Sequence, residues 1–273
     1  MAELPWQYID VHVHLTHEKF AGDLSEVLGR CRQNRIAAVV NGLEPVSNRH
    51  ILDLAKSDPD IVIPALGIYP LDAVNDLLPA DFPHRVGRFD VATEIAFIRA
   101  QAATGSIRAV GECGLDGYWL KEDSFAAQEK VFLSLAAIAV EFDLPLIIHT
   151  RKLERRAIEL MEGHGVKRLN FHCFGGKVKL AQAAAEKHGW YFSIPANARR
   201  SESFRKMLTS LPAEQILTET DAPYLAPNVG ERSEPMHVMG TIELLAELRG
   251  WSLEDAGQRV WRNFNTLFSK SSK

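Results

Sequence analysis

Residues 8–15, YIDVHVHL, alternate polar and apolar side chains along a β-branched run, the pattern of a strand. Side chains two apart on a strand project to the same side, so His12 and His14 share a face, with Asp10 in the same register. Two imidazoles so placed could be core residues satisfied by hydrogen bonds, or they could chelate an ion. The run by itself leaves both readings open. Seven more short apolar runs follow, at 37–43, 61–69, 107–115, 144–150, 169–174, 191–196 and 215–220. Helical patterns alternate with them at 24–33, 49–57, 91–103, 125–142, 153–162, 178–188 and 202–208, and two close the chain at 236–248 and 253–268. The runs are too apolar for a sheet with one wet face, as expected where helices cover a parallel sheet.

Eight strands alternating with helices predict an α/β fold, a (β/α)8 TIM barrel. A doubly wound open sheet usually has fewer strands, and its common mark, a GxGxxG turn after the first strand, is absent. Residues 71–90, rich in Pro, Asp and Leu, read as an insertion on a barrel loop. With no linker in the sequence, one domain is expected over 1–273.

Thirty-one basic residues against 35 acidic ones give a formal charge of −4, which excludes a whole-surface grip on nucleic acid and requires any polyanion to be met locally. Three cysteines, Cys31, Cys113 and Cys173, are an odd number without CxxC spacing, so neither a disulfide framework nor a thiolate zinc site is indicated. The first residues lack a basic stretch followed by an apolar one, and no apolar run approaches the roughly 18 residues of a membrane span. The expectation is a cytoplasmic protein without membrane attachment; no obligate protein partner is implied.

The other unusual polar residues fall at the C-terminal ends of predicted strands: Glu112 in AVGECGLD, His149 in LPLIIHT, His172 in NFHCF and Asp221 in ILTETDAPYL. In a barrel these ends converge on one mouth, where this fold places its active sites. Four histidines and two carboxylates on one rim would each cost a few kcal/mol if isolated there. Divalent cations remove that cost. Imidazole and carboxylate suit Zn, Mg or Mn, and six ligands exceed the need of one tetrahedral zinc, so two ions is the natural count. Strand alternation would turn Cys113 and Cys173 outward against the helix layer, and the remaining histidines, His17, His50, His84, His164, His188 and His237, read as mostly surface residues. Glu219, two residues before Asp221, is expected behind the ligands as a support.

DVHVHL, VGECGLDGYW, the Phe125-to-Gln128 FxxQ spacing, LPLIIHTR, FHCFGG, ETDAPYLAP, GERSEP and NFNTLF, in this order, resemble the successive motifs of the TatD family of metal-dependent deoxyribonucleases. The resemblance implies a barrel of the metallo-dependent hydrolase type that holds two divalent ions and cleaves phosphodiester bonds of DNA with a metal-activated water. It also implies that His12, His14, Glu112 and Asp221 hold one ion and Glu112, His149 and His172 the second, with Glu112 the bridge. Family members usually carry GxHP after the third strand, whereas GIYP here puts Tyr69 in the histidine's place, on the substrate side. A phenol can donate to a phosphate oxygen but brings no positive charge.

The expected catalytic residues are Asp221, as ligand and proton acceptor, and Glu112. Arg151, Arg232 and Tyr69 are the expected substrate contacts, and Lys177, Arg199 and Arg200 are further cations on the mouth side. Tyr118 and Trp119 could stack on a base or pack beneath a loop. Neither a GxSxG elbow nor a Walker A loop is present. Two rival readings keep the barrel: an amide or ester hydrolase of the wider superfamily, whose members often bridge their metals with a carboxylated lysine where this strand offers Glu112, and a barrel that has lost its reaction and only binds.

Overall fold

A computed structural model describes residues 7–84 and 86–269; the outermost ends of the domain expected over 1–273 lie outside the described residues. All eight strands form: β1 (Tyr8–Val13), β2 (Ile36–Asn41), β3 (Val62–Leu66), β4 (Ala109–Asp116), β5 (Leu146–Arg151), β6 (Leu169–His172), β7 (Tyr191–Ile194) and β8 (Ile216–Thr218). They pair in parallel in chain order, as consecutive βα units require. The ring is closed by bonds between the segment after β8 and β1: Asp221 N–H donates to the His12 carbonyl at 2.9 Å and His14 N–H to the Ala222 carbonyl at 2.8 Å.

Nine α-helices are formed by the described residues: α1 (Leu24–Gln33), α2 (Pro45–Ser57), α3 (Val91–Thr104), α4 (Phe125–Glu141), α5 (Glu154–Gly163), α6 (Val178–His188), α7 (Glu202–Ser210), α8 (Val238–Arg249) and α9 (Leu253–Phe268). Helix α2 begins four residues earlier than its periodicity predicts. Glu44, an uncommon cap, accepts from the N–H groups of Val46 and Ser47 at 2.6 Å each, Ser47 returns its hydroxyl to the Glu44 N–H, and Pro45 fills the first helical position. The NFNTLF motif has a structural role: Asn263 donates to the carbonyls of Ala213 and Ile216, tying α9 to the start of β8.

Six strands stop two or three residues short of the predicted ends, where the chain leaves the ladder at the mouth, and β4 and β5 run one residue past them. Cys173 and Asp221, just past β6 and β8, take positive φ angles of 43° and 53°. The insertion at 71–90 contains one 3-10 turn, Asp72–Val74, and builds a small apolar cluster of its own: Leu71, Val74, Leu78 and Leu120, with Tyr69, Phe82, Val86 and Trp119 against it. None of the helices is long and apolar enough to cross a membrane among the described residues.

Candidate metal centre

The mouth end of the barrel brings all six predicted ligands together. Glu112 stands at the centre with its two oxygens facing opposite ways. Its Oε2 lies 3.3 Å from His12 Nε2 and 3.4 Å from His14 Nε2; its Oε1 lies 3.0 Å from His149 Nδ1 and 3.1 Å from His172 Nε2. Asp221 Oδ1 completes the first group, 3.7 Å from His12 and 3.5 Å from His14. Among the described residues, the candidate ion sites are His12, His14 and Glu112; Glu112, His149 and His172; and His12, His172 and Asp221.

Three of the four rings are faced from behind by a carbonyl or carboxylate, while the buried Nδ1 of His12 has no partner among the described residues. His14 Nδ1 meets the Asn41 carbonyl at 3.0 Å, His149 Nε2 faces Asp116 Oδ2 at 3.4 Å, and His172 Nδ1 faces Glu219 Oε1 at 3.5 Å. A proton on these outer nitrogens turns a lone pair inward. There the inner nitrogens face carboxylate oxygens and each other, His12 and His14 at 3.2 Å and His149 and His172 at 3.2 Å. Lone pairs so close repel unless a cation, either a proton or a metal ion, lies between them. The donor set, imidazoles and carboxylates in two groups sharing Glu112, fits two divalent ions.

The charges point the same way. Burial pushes the Glu112 carboxyl up, but the adjacent His172 and His12 outweigh it and hold it well below the usual carboxylate range. Burial and the repulsion of His172 press His12 down to about 4. Burial opposes a charge on His172, yet Glu112 and Glu219 raise it well above an ordinary imidazole. His149 and His14 are also raised against burial, by Asp116 and Glu112 and by Asp221 and Glu112 respectively. These raised imidazoles mark a pocket whose carboxylates favour positive charge, which a divalent ion would also supply.

Three supports carried no assignment from sequence. Asp116, the Asp of GLD, is fully buried; besides facing His149, its Oδ1 accepts from the N–H groups of Tyr118 and Trp119 at 2.7 and 2.8 Å. Gln128 explains the FxxQ spacing, because it accepts from the Asp116 N–H at 2.8 Å and donates to the Asp116 carbonyl at 3.2 Å. Asp10 spans the barrel seam: Oδ1 accepts from the N–H groups of His12 and Thr220, and Oδ2 meets the Thr220 hydroxyl at 2.5 Å. The polar residue beside two histidines was the visible signal. Gly114, at φ 146°, sits where a Cβ would overlap the His149 carbonyl, so only glycine lets β4 approach β5 this closely. Glu219 stands behind His172 as expected, sharing a short hydrogen bond with Ser193.

The predicted rim contacts are sorted by the structure. Tyr69 packs edge-on to His149, ring centroids 4.9 Å apart; burial and then Glu112, Asp116 and Asp221 raise its hydroxyl pKa, which keeps it a donor. Arg151 is exposed, and its guanidinium lies over the Tyr118 ring at 3.6 Å. Arg232 is committed elsewhere. It grips Asp23 through two bonds, of 2.7 and 2.5 Å, while Glu234 of the same GERSEP motif grips Arg30, so the motif latches the loop after β8 to α1. Arg199 pairs with Glu247, and Arg200 donates to the carbonyls of Ala226 and Pro227. Lys177 is exposed at the start of α6.

Cys113 is buried with its thiol toward the Ile147 carbonyl. Cys173, half-buried, takes a left-handed backbone just past β6, and burial, reinforced by the charges of Glu219, Asp221 and Glu112, pushes its thiol pKa well up. Four histidines read as surface residues have partners: His17 meets the Tyr224 hydroxyl at 3.2 Å, His164 the Leu160 carbonyl at 2.7 Å and His188 Glu162 at 2.7 Å, and His237 accepts from the Glu234 N–H at 3.3 Å.

A family model described as TatD related DNase matches residues 9–269. The deoxyribonuclease TATDN3 of Homo sapiens is 28% identical over 266 residues, covering 96% of this chain and 94% of that protein. The 3'-5' ssDNA/RNA exonuclease TatD of Pantoea vagans is 28% identical over 275 residues, covering 95% of this chain and 98% of that protein. The crystal structure of YjjV, a TatD homologue from Escherichia coli K12, superposes with a TM-score of 0.82 at 23% identity, covering 97% of this chain and 98% of that one. That likeness bears on the fold.

Proposed function

The chain belongs to the TatD related DNase family of metal-dependent hydrolases, and from that membership we propose a two-metal phosphodiesterase acting on DNA. One observation carries the reading: the two oxygens of Glu112 each face a separate pair of imidazoles within 3.0–3.4 Å. His12, His14, Glu112 and Asp221 would hold one ion and Glu112, His149 and His172 the other. When bound, the ions would ionise water near neutral pH and offset charge on the oxygens of the phosphoryl group.

The chain's own residues supply the rest. Asp221 is the carboxylate at the wet edge of the group, with its side chain 16% exposed against 3% for Glu112. It is held below the usual range, against burial, by its hydrogen bond to His14 and by the charge of His172. An ionised carboxylate at that edge can receive the proton of the attacking water. Tyr69, kept protonated, donates to a phosphoryl oxygen, and Arg151, which has no carboxylate partner among the described residues, brings the positive charge that the tyrosine lacks.

The test is turnover of labelled single-stranded DNA by purified protein with Mg2+, Mn2+ or Zn2+, repeated with Glu112→Ala and Asp221→Asn. Both variants should be deeply impaired. Undiminished cleavage by both would contradict the proposal, and turnover of esters or cyclic amides without DNA cleavage would transfer it to the other bond class.

A further inference from the structure

The loop after β4 carries two aromatic rings that the metal centre does not use. Tyr118 is 51% exposed. The Arg151 guanidinium lies over its ring. Trp119 stands edge-on to Tyr118, centroids 4.9 Å apart, and to His84 of the insertion, at 4.2 Å. Trp119 also lines an open cleft of about 450 Å3 with Leu77, Phe82 and Lys121.

This group is continuous with the metal centre in two ways. Tyr69, whose ring packs on His149, lies against the same small apolar cluster as Trp119. Asp116 accepts from the Tyr118 and Trp119 N–H groups with one oxygen and faces His149 with the other, so a single buried carboxylate sets both the aromatic turn and a candidate metal ligand.

We infer that Tyr118 and Trp119, braced by Arg151, form a stacking subsite for an unpaired nucleobase adjoining the phosphate at the metal centre. This rests on the phosphodiesterase reading above. Every base has a π face, so such a subsite tolerates any sequence, while a base locked in a duplex is already stacked on both sides. Arg151, over the Tyr118 ring and 5.8 Å from the centre of the Trp119 ring, supplies the positive charge beside the aromatic pair, while the cleft itself carries Lys121 and Asp123. The subsite therefore selects single strands and frayed ends.

The experiment measures binding of fluorescently labelled, hydrolysis-resistant phosphorothioate oligothymidylate to the metal-loaded protein, beside an abasic oligomer of equal length and charge. The base-bearing strand should bind about tenfold tighter or more. Tyr118→Ala and Trp119→Ala should each erase most of that ratio, with Trp119→Phe restoring it. Tyr118 is exposed, so its variant tests the subsite even where Trp119→Ala fails to fold. Equal binding of the two oligomers, no binding of either, or an unchanged ratio in Tyr118→Ala would overturn the subsite. A large ratio lost in the variants, in a protein that hydrolyses no phosphodiester, would support the subsite and count against the hydrolytic reading alone.

Discussion

On the floor of the barrel mouth, six side chains stand at the ends of five strands, and three of the four imidazoles are held from behind by a carboxylate or a carbonyl. On the rim, cations stand on loops, and most are already bound within the chain: Arg232 to Asp23, Arg199 to Glu247, Arg200 to two carbonyls. The difference teaches where function is concentrated. A buried ligand group that only a cation can reconcile has no other plausible use, whereas a loop arginine is as well explained by a latch as by a substrate.

The largest expected effect is on the floor. Glu112→Ala should lower kcat by ~10^3-fold or more, about 4 kcal/mol of transition-state stabilisation, measured on single-stranded DNA at saturating metal. Asp116→Asn comes next. It keeps the volume but weakens the support of His149 and disturbs the turn at Tyr118, so a loss of about 10–100-fold in metal affinity or activity is expected. A loss below twofold in both would mean that the outer support is dispensable.

On the rim, two arginines should part company. Arg151→Ala should raise KM by about tenfold with little change in thermal stability, the cost of one charge-assisted contact. Arg232→Ala should leave KM in place and lower Tm by a few degrees, since an ion pair of this exposure is worth ~1 kcal/mol and each kcal/mol moves Tm by about 2–4 °C in a chain of this length. The opposite assignment of KM and Tm effects would reverse the sorting of the rim.

The smallest effect concerns Asp72 in the insertion. Burial, reinforced by Glu44, raises its carboxyl to about 8. An acid whose pKa is raised in the folded state binds more protons folded than unfolded between about 4 and 8, so its contribution is fully present below pH 4 and is lost as pH rises through 8. Asp72→Asn should therefore match the parent protein near pH 4 and gain progressively in Tm up to pH 8 in chelator, while kcat measured with metal stays in place. A gain independent of pH would mean that Asp72 is not buried as a neutral acid.

How much of this was legible in the sequence follows the same division. All eight strands and the helices between them could be read because period and length are local properties, and three helices, α1, α6 and α9, match their predicted bounds. The ligands were legible because a polar residue ending an apolar strand is conspicuous. Asp10, Asp116 and Gln128 were not assigned because their partners are backbone N–H and carbonyl groups, or a histidine 33 residues away, and no spacing reveals those. The left-handed backbone of Cys173 could not be read either, because strand alternation carries no signal for where a ladder ends. Arg232 drew attention as a loop cation, and its Asp23 partner lies 209 residues off.

The central claim is that six side chains make one site for two ions, joined through Glu112. The direct measurement is the metal content of the protein after chelation, reloading and desalting, beside Glu112→Ala and Arg232→Ala. Two ions per chain are expected in the parent protein and in Arg232→Ala, and at most one in Glu112→Ala. One ion or none in the parent protein, or two retained without Glu112, would contradict it.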